Sequence, residues 1–137
     1  MISSLDTCMG RIMRTLDNLG IADDTILCFS SDHGDMLGSQ GHNLKQRPWE
    51  ESINIPFILR YPRRIRAGQK KDWLFASVDV MPTILSLCGA AIPHAVQRWN
   101  MAPVFTDESQ KEHDACSRTE FTLKLLIWRL WEVLSPF

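Results

Sequence analysis

The chain has 137 residues, 45% of them apolar and 23% charged, with 15 Lys and Arg against 16 Asp and Glu for a net charge of -1. These proportions exclude a disordered or collagen-like chain, and the even charge balance argues against a general nucleic-acid binder. A folded chain of this length buries roughly two-thirds of its surface, enough for a core without staples, and no stretch approaches the ~20 apolar residues of a membrane span.

The first segment reads as a helix. Ile2, Leu5, Met9, Ile12, Leu16 and Leu19 recur at three- and four-residue spacing and give one apolar stripe. Ser3 with Asp6 resembles a capping box, and Gly20 is the expected stop. This opening has no uninterrupted apolar run of the kind a secretory signal carries, and nothing in the sequence assigns a compartment. After a turn with Asp23 and Asp24, Thr25-Ile26-Leu27-Cys28-Phe29 runs without polar alternation, which predicts a strand covered on both faces, as in a parallel sheet. It ends abruptly in Ser30-Ser31-Asp32-His33-Gly34-Asp35.

From Gly34 to Ser52 the sequence is polar and carries Gly34, Gly38, Gly41 and Pro48. This is a long loop, and loops of that length without periodicity are more often functional or mobile than neutral connectors. Ile55 to Tyr61 reads as a second strand, with Pro56 tolerated near its start and Pro62 ending it. Arg60, Arg63, Arg64, Arg66, Lys70 and Lys71 follow, a solvated turn with no aromatic residues interleaved for nucleic acid. A second helix starts at Asp79 as N-cap, with Pro82 in its first turn, Met81, Ile84, Leu85 and Cys88 on one face, and Gly89 as its stop. Residues 90 to 120 are irregular. Leu123, Leu126, Ile127, Leu130, Trp131 and Leu134 form a last helical stripe, expected to pack on the core. The 4 cysteines include no C-x-x-C pair; Cys8, Cys28 and Cys88 fall in apolar patterns and read as buried hydrophobes, whereas Cys116 reads as an exposed thiol.

The order helix, strand, long loop, strand, helix predicts an α/β layer architecture with a mostly parallel sheet and flanking helices. So few clear strands make a poor sheet, so the chain looks like part of a doubly wound domain. Its most informative point is the end of the first strand, because ligands in open α/β sheets bind beyond the carboxyl ends of strands. Asp32 and His33 there offer a carboxylate oxygen and an imidazole nitrogen, both ordinary ligands for a divalent cation. Gly34 lets the backbone turn away without a side chain. The plainer alternative is an Asp that caps the next turn beside an incidental His. Lys45, with His42 and Arg47 nearby, would place a point charge beside a tetrahedral oxyanion, or is simply a solvated lysine. Glu50 and Glu51 are outer hydrogen-bond acceptors or ordinary helix-surface carboxylates.

These residues carry a resemblance. Ser30-Ser31-Asp32-His33-Gly34-Asp35-Met36-Leu37-Gly38-Ser39, then Lys45 to Ser52, then Ile55-Pro56-Phe57-Ile58-Leu59-Arg60-Tyr61-Pro62, resembles the later half of the sulfatase family. The opening helix and Val78-Asp79-Val80-Met81-Pro82-Thr83-Ile84-Leu85 fit the segments on either side, so the match runs over about residues 1 to 115, with 116 to 137 as a divergent tail, expected to be helical. The resemblance implies an alkaline phosphatase-like fold in which Asp32 and His33 ligate a divalent cation, usually calcium, with manganese or magnesium as alternatives. It implies that Lys45 contacts the sulfate of a sulfate ester. A family histidine just after the Gly-Ser of the loop is here Gln40, with His42 displaced by two, so His42 is the substrate-binding candidate.

The departures matter as much. Sulfatases attack with a formylglycine made from the cysteine or serine of a C-x-P-x-R-like motif. None of the four cysteines is followed by Pro or Ala at +2 together with Arg at +4. The nucleophile, and the family's earlier pair of metal-binding aspartates, are expected only in an N-terminal part that this chain lacks. The isolated chain is therefore expected to be inactive and to self-associate through exposed sheet edges. A phosphoesterase or phosphonate hydrolase of the same superfamily is the alternative activity, and a non-catalytic remnant or binding module is the alternative class.

Overall fold

In the computed structural model, residues 2–45, 47–96, 98–106 and 122–126 are described. Helix α1 (Ile2–Asn18) follows the apolar stripe and starts earlier than the capping box predicts, so Ser3 lies inside it and its carbonyl accepts the Thr7 hydroxyl at 2.9 Å. Gly20 ends it at φ 68°, where its N–H bonds the Asp17 carbonyl at 3.0 Å and the Ile21 N–H reaches Leu16 at 3.1 Å, the paired bonds of a Schellman stop. Met9, Met13 and Leu16 are half-buried, while Ile2, Leu5, Ile12 and Leu19 remain exposed along the stripe.

Strand β1 (Leu27–Ser30) runs antiparallel to β2 (Ile55–Arg60), with Leu27 opposite Arg60 and Ser30 opposite Phe57. Strand β4 (Thr122–Leu126) lies parallel to β2, with Ile55 opposite Leu123, and antiparallel to β3 (Lys70–Ala76). The sheet order is β1-β2-β4-β3. The sheet is therefore mixed among the described residues, where the sequence predicts mostly parallel pairing. Parallel neighbours need a crossover, usually a packed helix. Between β1 and β2 the chain instead folds back through a loop whose only α-helix among the described residues is α2 (Glu50–Ile53), and the strand returns in the opposite direction. Strand β1 also sits at an edge, so Leu27 and Phe29 are half-buried and Cys28 and Ser30 exposed, not covered on both faces as expected.

Over Thr122–Leu126, where the apolar stripe predicts helix, the chain is extended. Its backbone groups fill the gap between β2 and β3, and two neighbouring strands satisfy more of the ladder than an isolated helical turn would. The rest of the predicted tail helix, Cys116 and the boundary near residue 115 lie outside the described residues.

The core gathers on one face of β2. Ile55, Phe57 and Leu59 alternate inward and are buried. Phe57 packs on Phe75 of β3 at 4.7 Å between ring centroids, and Phe75 meets Phe105 edge-on at 5.5 Å and 89°. Such aromatic pairs each add about 0.5–1.5 kcal/mol beyond the area they bury. Ile65, Leu87, Met101 and Val104 complete the cluster.

Helix α3 (Val80–Leu87) ends at Gly89 with the same paired bonds as α1, Gly89 to Ser86 at 3.0 Å and Ala90 to Leu85 at 2.9 Å. Its predicted cap Asp79 is buried and does different work. One carboxylate oxygen accepts the Ala76 N–H at 3.3 Å and the other the Trp99 N–H at 3.1 Å. Thr83, fully buried, accepts the Met101 N–H at 3.0 Å, and Asn100 donates to Ser86 at 2.9 Å. These bonds stitch the irregular segment to α3 and seat a short helix, α4 (Ala102–Phe105), which delivers Phe105 to the core.

The cysteines correct their expectation. Cys8, Cys28 and Cys88 are exposed and unbridged. Cys28 and Cys88 line one cleft of about 550 Å³ between the β1 edge and α3, and partial desolvation by its walls raises the Cys28 thiol above its ordinary pKa.

Candidate active site

The end of β1 is held by its own polar side chains. The Ser30 hydroxyl donates to the Pro56 carbonyl of β2 at 3.0 Å, and the Ser31 hydroxyl to the His33 carbonyl at 2.8 Å. Asp32 projects into solvent; one carboxylate oxygen accepts the His33 N–H at 3.0 Å, and the other lies 3.5 Å from His33 Nε2. The second imidazole nitrogen, Nδ1, is 2.6 Å from the Gly34 carbonyl oxygen. A carbonyl can only accept, so Nδ1 carries a proton there, and in the neutral ring Nε2 keeps the free lone pair beside Asp32.

Gly34 is required for a different reason from a tight turn. Its N–H bonds the Ser52 carbonyl at 2.9 Å, and a Cβ placed on it would sit 2.0 Å from the Glu51 carbonyl oxygen. The backbone of α2 therefore lies directly against the Asp32-His33 turn.

Residues 35 to 52 form a structured loop. Met36 is its plug, buried to 1% exposure, with its N–H bonded to the Leu44 carbonyl at 2.8 Å. Asp35 accepts the Leu37 N–H at 2.9 Å, and Gly38 reaches the His42 carbonyl at 3.0 Å. Leu37, Gln40 and Leu44 take φ of 46°, 55° and 68°. Left-handed backbone at non-glycine residues costs free energy and gathers where surrounding structure over-determines it, often at functional sites. Leu44, the last of the three, immediately precedes Lys45. The far side of the loop is closed by Ser52, fully buried, which accepts the Arg47 N–H at 3.2 Å, and by Ser39, which donates to the Glu51 carboxylate.

The Asp32 carboxyl feels opposing influences. Desolvation raises its pKa; the His33 imidazole, backbone N–H groups at Asp32 and His33, and the Lys45 ammonium pull the other way and prevail, so it lies below its ordinary value. The Ser39 hydrogen bond, with a backbone bond, likewise lowers Glu51.

Asp32 and His33 thus present their donors side by side, and Lys45 acts on Asp32 through its charge. The His42 ring stacks on Trp49 at 5.2 Å and 26°. Among the described residues no group of three or more His, Cys, Asp or Glu side chains comes together to hold a metal ion. The residues the sequence reading missed are the supports, Met36 and Ser52, together with the contact that makes Gly34 necessary. Ser52 follows two glutamates and looks solvated in sequence; only the fold buries it.

The Sulfatase family model matches residues 1–90. The chain belongs to the sulfatase family. An endo-4-O-sulfatase of Bacteroides thetaiotaomicron is 41% identical over 110 residues, covering 78% of this chain and 22% of the relative. The multifunctional alkaline phosphatase superfamily protein PehA of Trinickia caryophylli is 37% identical over 109 residues, covering 78% of this chain and 21% of its own length. The solved structure of BT4656, in complex with its substrate D-glucosamine-2-N,6-O-disulfate, superimposes with a TM-score of 0.68 at 31% identity, over 84% of this chain and 23% of that one. The sulfatase chain described here therefore spans about a fifth of the length of these relatives.

Proposed function

We propose that this chain carries the cation-binding corner and an anion-binding lysine of a sulfuric ester hydrolase. The observation that carries the reading is the pairing of Asp32 Oδ2 and His33 Nε2 at 3.5 Å beyond the end of β1, with the Lys45 charge acting on the same carboxylate. At 3.5 Å the two donor atoms are close enough that both could reach one divalent cation. The Nδ1–H bond to Gly34 is the outer contact that orients a ligating imidazole. A bound calcium, or manganese or magnesium in its place, would neutralise oxygens of the ester's sulfate group. Lys45 is then the residue that meets the anion from the protein side, with His42, its ring face stacked on Trp49, as the second substrate-binding candidate. No cysteine or serine of these 137 residues stands in the motif that would yield a formylglycine nucleophile.

The reading is tested on the chain by NMR titration, first with calcium chloride and then with an aryl sulfate. Calcium is expected to shift Asp32 and His33 selectively, weakly because two donors fall short of the six to eight ligands calcium takes. Asp32→Ala should abolish the shift. Lys45→Ala should leave it and remove the sulfate response instead. Calcium shifts that survive Asp32→Ala, or disappear with Lys45→Ala, would overturn the assignment. The chain should also show no turnover of a chromogenic aryl sulfate above a heat-killed control.

The similarity to PehA supports a second reading, a phosphate or phosphonate ester hydrolase with the same cation corner. An aryl phosphate that competes more strongly than the aryl sulfate at Lys45 would favour it.

A further inference from the structure

Lys45 is bordered along the chain by the rings of His42 before it and Trp49 after it. These rings stack on one another, 5.2 Å between centroids and 26° between planes. The contact therefore joins the chain on the two sides of Lys45. A second tie between this loop and α2, from the Ser39 hydroxyl to the Glu51 carboxylate, starts further back along the chain and is exposed.

Both rings are mounted on fixed backbone. Trp49 stands at the start of α2 in extended conformation, φ -97° and ψ 152°, and its carbonyl accepts the Ser52 N–H at 2.9 Å and the Ile53 N–H at 3.1 Å. Helix α2 in turn is held against the Asp32-His33 turn by the bond from the Gly34 N–H to the Ser52 carbonyl. His42 closes the tip of the loop: its N–H bonds the Ser39 carbonyl and its carbonyl accepts the Gly38 N–H, both at 3.0 Å. Gln40 before it and Leu44 after it have left-handed backbone, φ 55° and 68°. Such residues persist where tertiary contacts compensate their cost, and the His42 stack lies between the two.

Lys45 itself is exposed, and a lysine on a loose loop loses backbone and side-chain freedom when it meets an anion. A contact that restrains the chain on both sides removes part of that cost before the anion arrives. Stacking occupies a face of the imidazole and leaves its nitrogen edge for hydrogen bonding. Among the described residues, neither ring nitrogen of His42 and not the Lys45 ammonium is used in a hydrogen bond.

We propose that Trp49 is a positioning residue of the candidate site: its stack on His42 holds His42 and Lys45 in place for a tetrahedral oxyanion. The proposal rests on the anion-binding reading of Lys45. It is tested by titrating inorganic sulfate, and separately an aryl sulfate, into the full chain while the amides of Lys45 and Arg47 are followed by NMR. Trp49→Leu and Trp49→Met each remove the aromatic face, and circular dichroism spectra superimposable on the parent's verify the fold. Each is expected to weaken both anions by about two- to tenfold, the factor that corresponds to one ring stack. Trp49→Phe restores a stacking face and should stay within about twofold of the parent. His42→Leu removes the stack from its other side, so adding Trp49→Leu to it should bring no further loss. Calcium shifts at Asp32 and His33 should be the same in parent and Trp49 variants. Unchanged sulfate affinity in Trp49→Leu and Trp49→Met, with only the urea midpoint lowered, would make Trp49 a structural residue and overturn the proposal, as would additive losses at His42 and Trp49. A parent chain without a sulfate response, or one whose response survives Lys45→Ala, overturns the Lys45 reading and this proposal with it. A response lost in Lys45→Ala but intact in the Trp49 variants overturns this proposal alone.

Discussion

Replacing Gly34 with alanine tests the contact that joins the Asp32-His33 turn to α2. The φ of Gly34 lies outside the left-handed region, so the substitution adds no backbone strain of its own; the obstacle is the Glu51–Ser52 backbone. The new Cβ would stand 2.0 Å from the Glu51 carbonyl oxygen, 2.9 Å from its carbon and 3.1 Å from the Ser52 carbon. An ordinary carbon–oxygen contact is about 3.3 Å or longer, so one segment must move by more than about 1 Å. That movement breaks the Gly34–Ser52 hydrogen bond, worth about 1 kcal/mol, and overpacking adds about 1–3 kcal/mol. The expected loss is therefore about 2–4 kcal/mol, a large share of an ordinary domain's stability. Gly20→Ala is the control. A Cβ there meets open space, and only φ of 68° opposes it, at a cost of about 1–2 kcal/mol. Urea titrations followed by far-UV circular dichroism measure both, and amide shifts of His33 and Ser52 show where the damage lies. If Gly34→Ala costs no more than Gly20→Ala and leaves the His33 and Ser52 amides unmoved, the contact does not hold the corner.

Three further outcomes are expected. Asp79→Ala strips the hydrogen-bond acceptor from the Ala76 and Trp99 N–H groups in a buried position, and should cost about 2–4 kcal/mol by urea titration, whereas a loss below 1 kcal/mol would show that water replaces it. Ser39→Ala should raise the Glu51 pKa toward its ordinary value, read by carboxyl NMR. Because the folded value is depressed, the stabilisation is complete above the ordinary glutamate value and is lost as pH falls through the folded one, so parent and variant should differ at neutral pH and converge in acid; a constant difference would refute the linkage. The outer edge of β1 and the exposed stripe of α1 should make the chain oligomerise with rising concentration in light scattering, and a monomer with a sharp cooperative melt would refute this.

Much of the fold is legible where the signal is local. The stripe of α1, the glycines at 20 and 89, and the alternation of β2 each act within a few residues, and each appears where the sequence places it. Strand direction is a different quantity. It depends on whether the chain between β1 and β2 crosses over or folds back, and the composition of residues 31–54 permits either. The same limit explains β4: a stripe of leucines three and four apart also contains the run Leu123-Lys124-Leu125-Leu126, and an open gap between β2 and β3 decides in favour of the strand. Asp79 reads correctly as a residue at a helix start, yet its carboxylate is used by Ala76 and by Trp99, the latter 20 residues further along the chain.

The site divides along the same line. Asp32 and His33 are legible because adjacency in the chain guarantees adjacency of their donors, and the end of a strand is where such donors become useful. Lys45 is harder, since a loop intervenes, and its influence on the Asp32 charge appears only once that loop is folded. Met36, buried within that loop, has no chemical role that would draw notice in a sequence. His42 shows what type and distance leave out: a histidine near a lysine in a polar loop suggests an anion site, and the stacking face that Trp49, seven residues on, gives its ring is visible only in the fold. The candidate donor groups of this corner are written in the sequence as residue types, whereas the turn that carries them is held by backbone contacts, chiefly the close approach of Gly34 to Glu51 and Ser52, that no residue type announces.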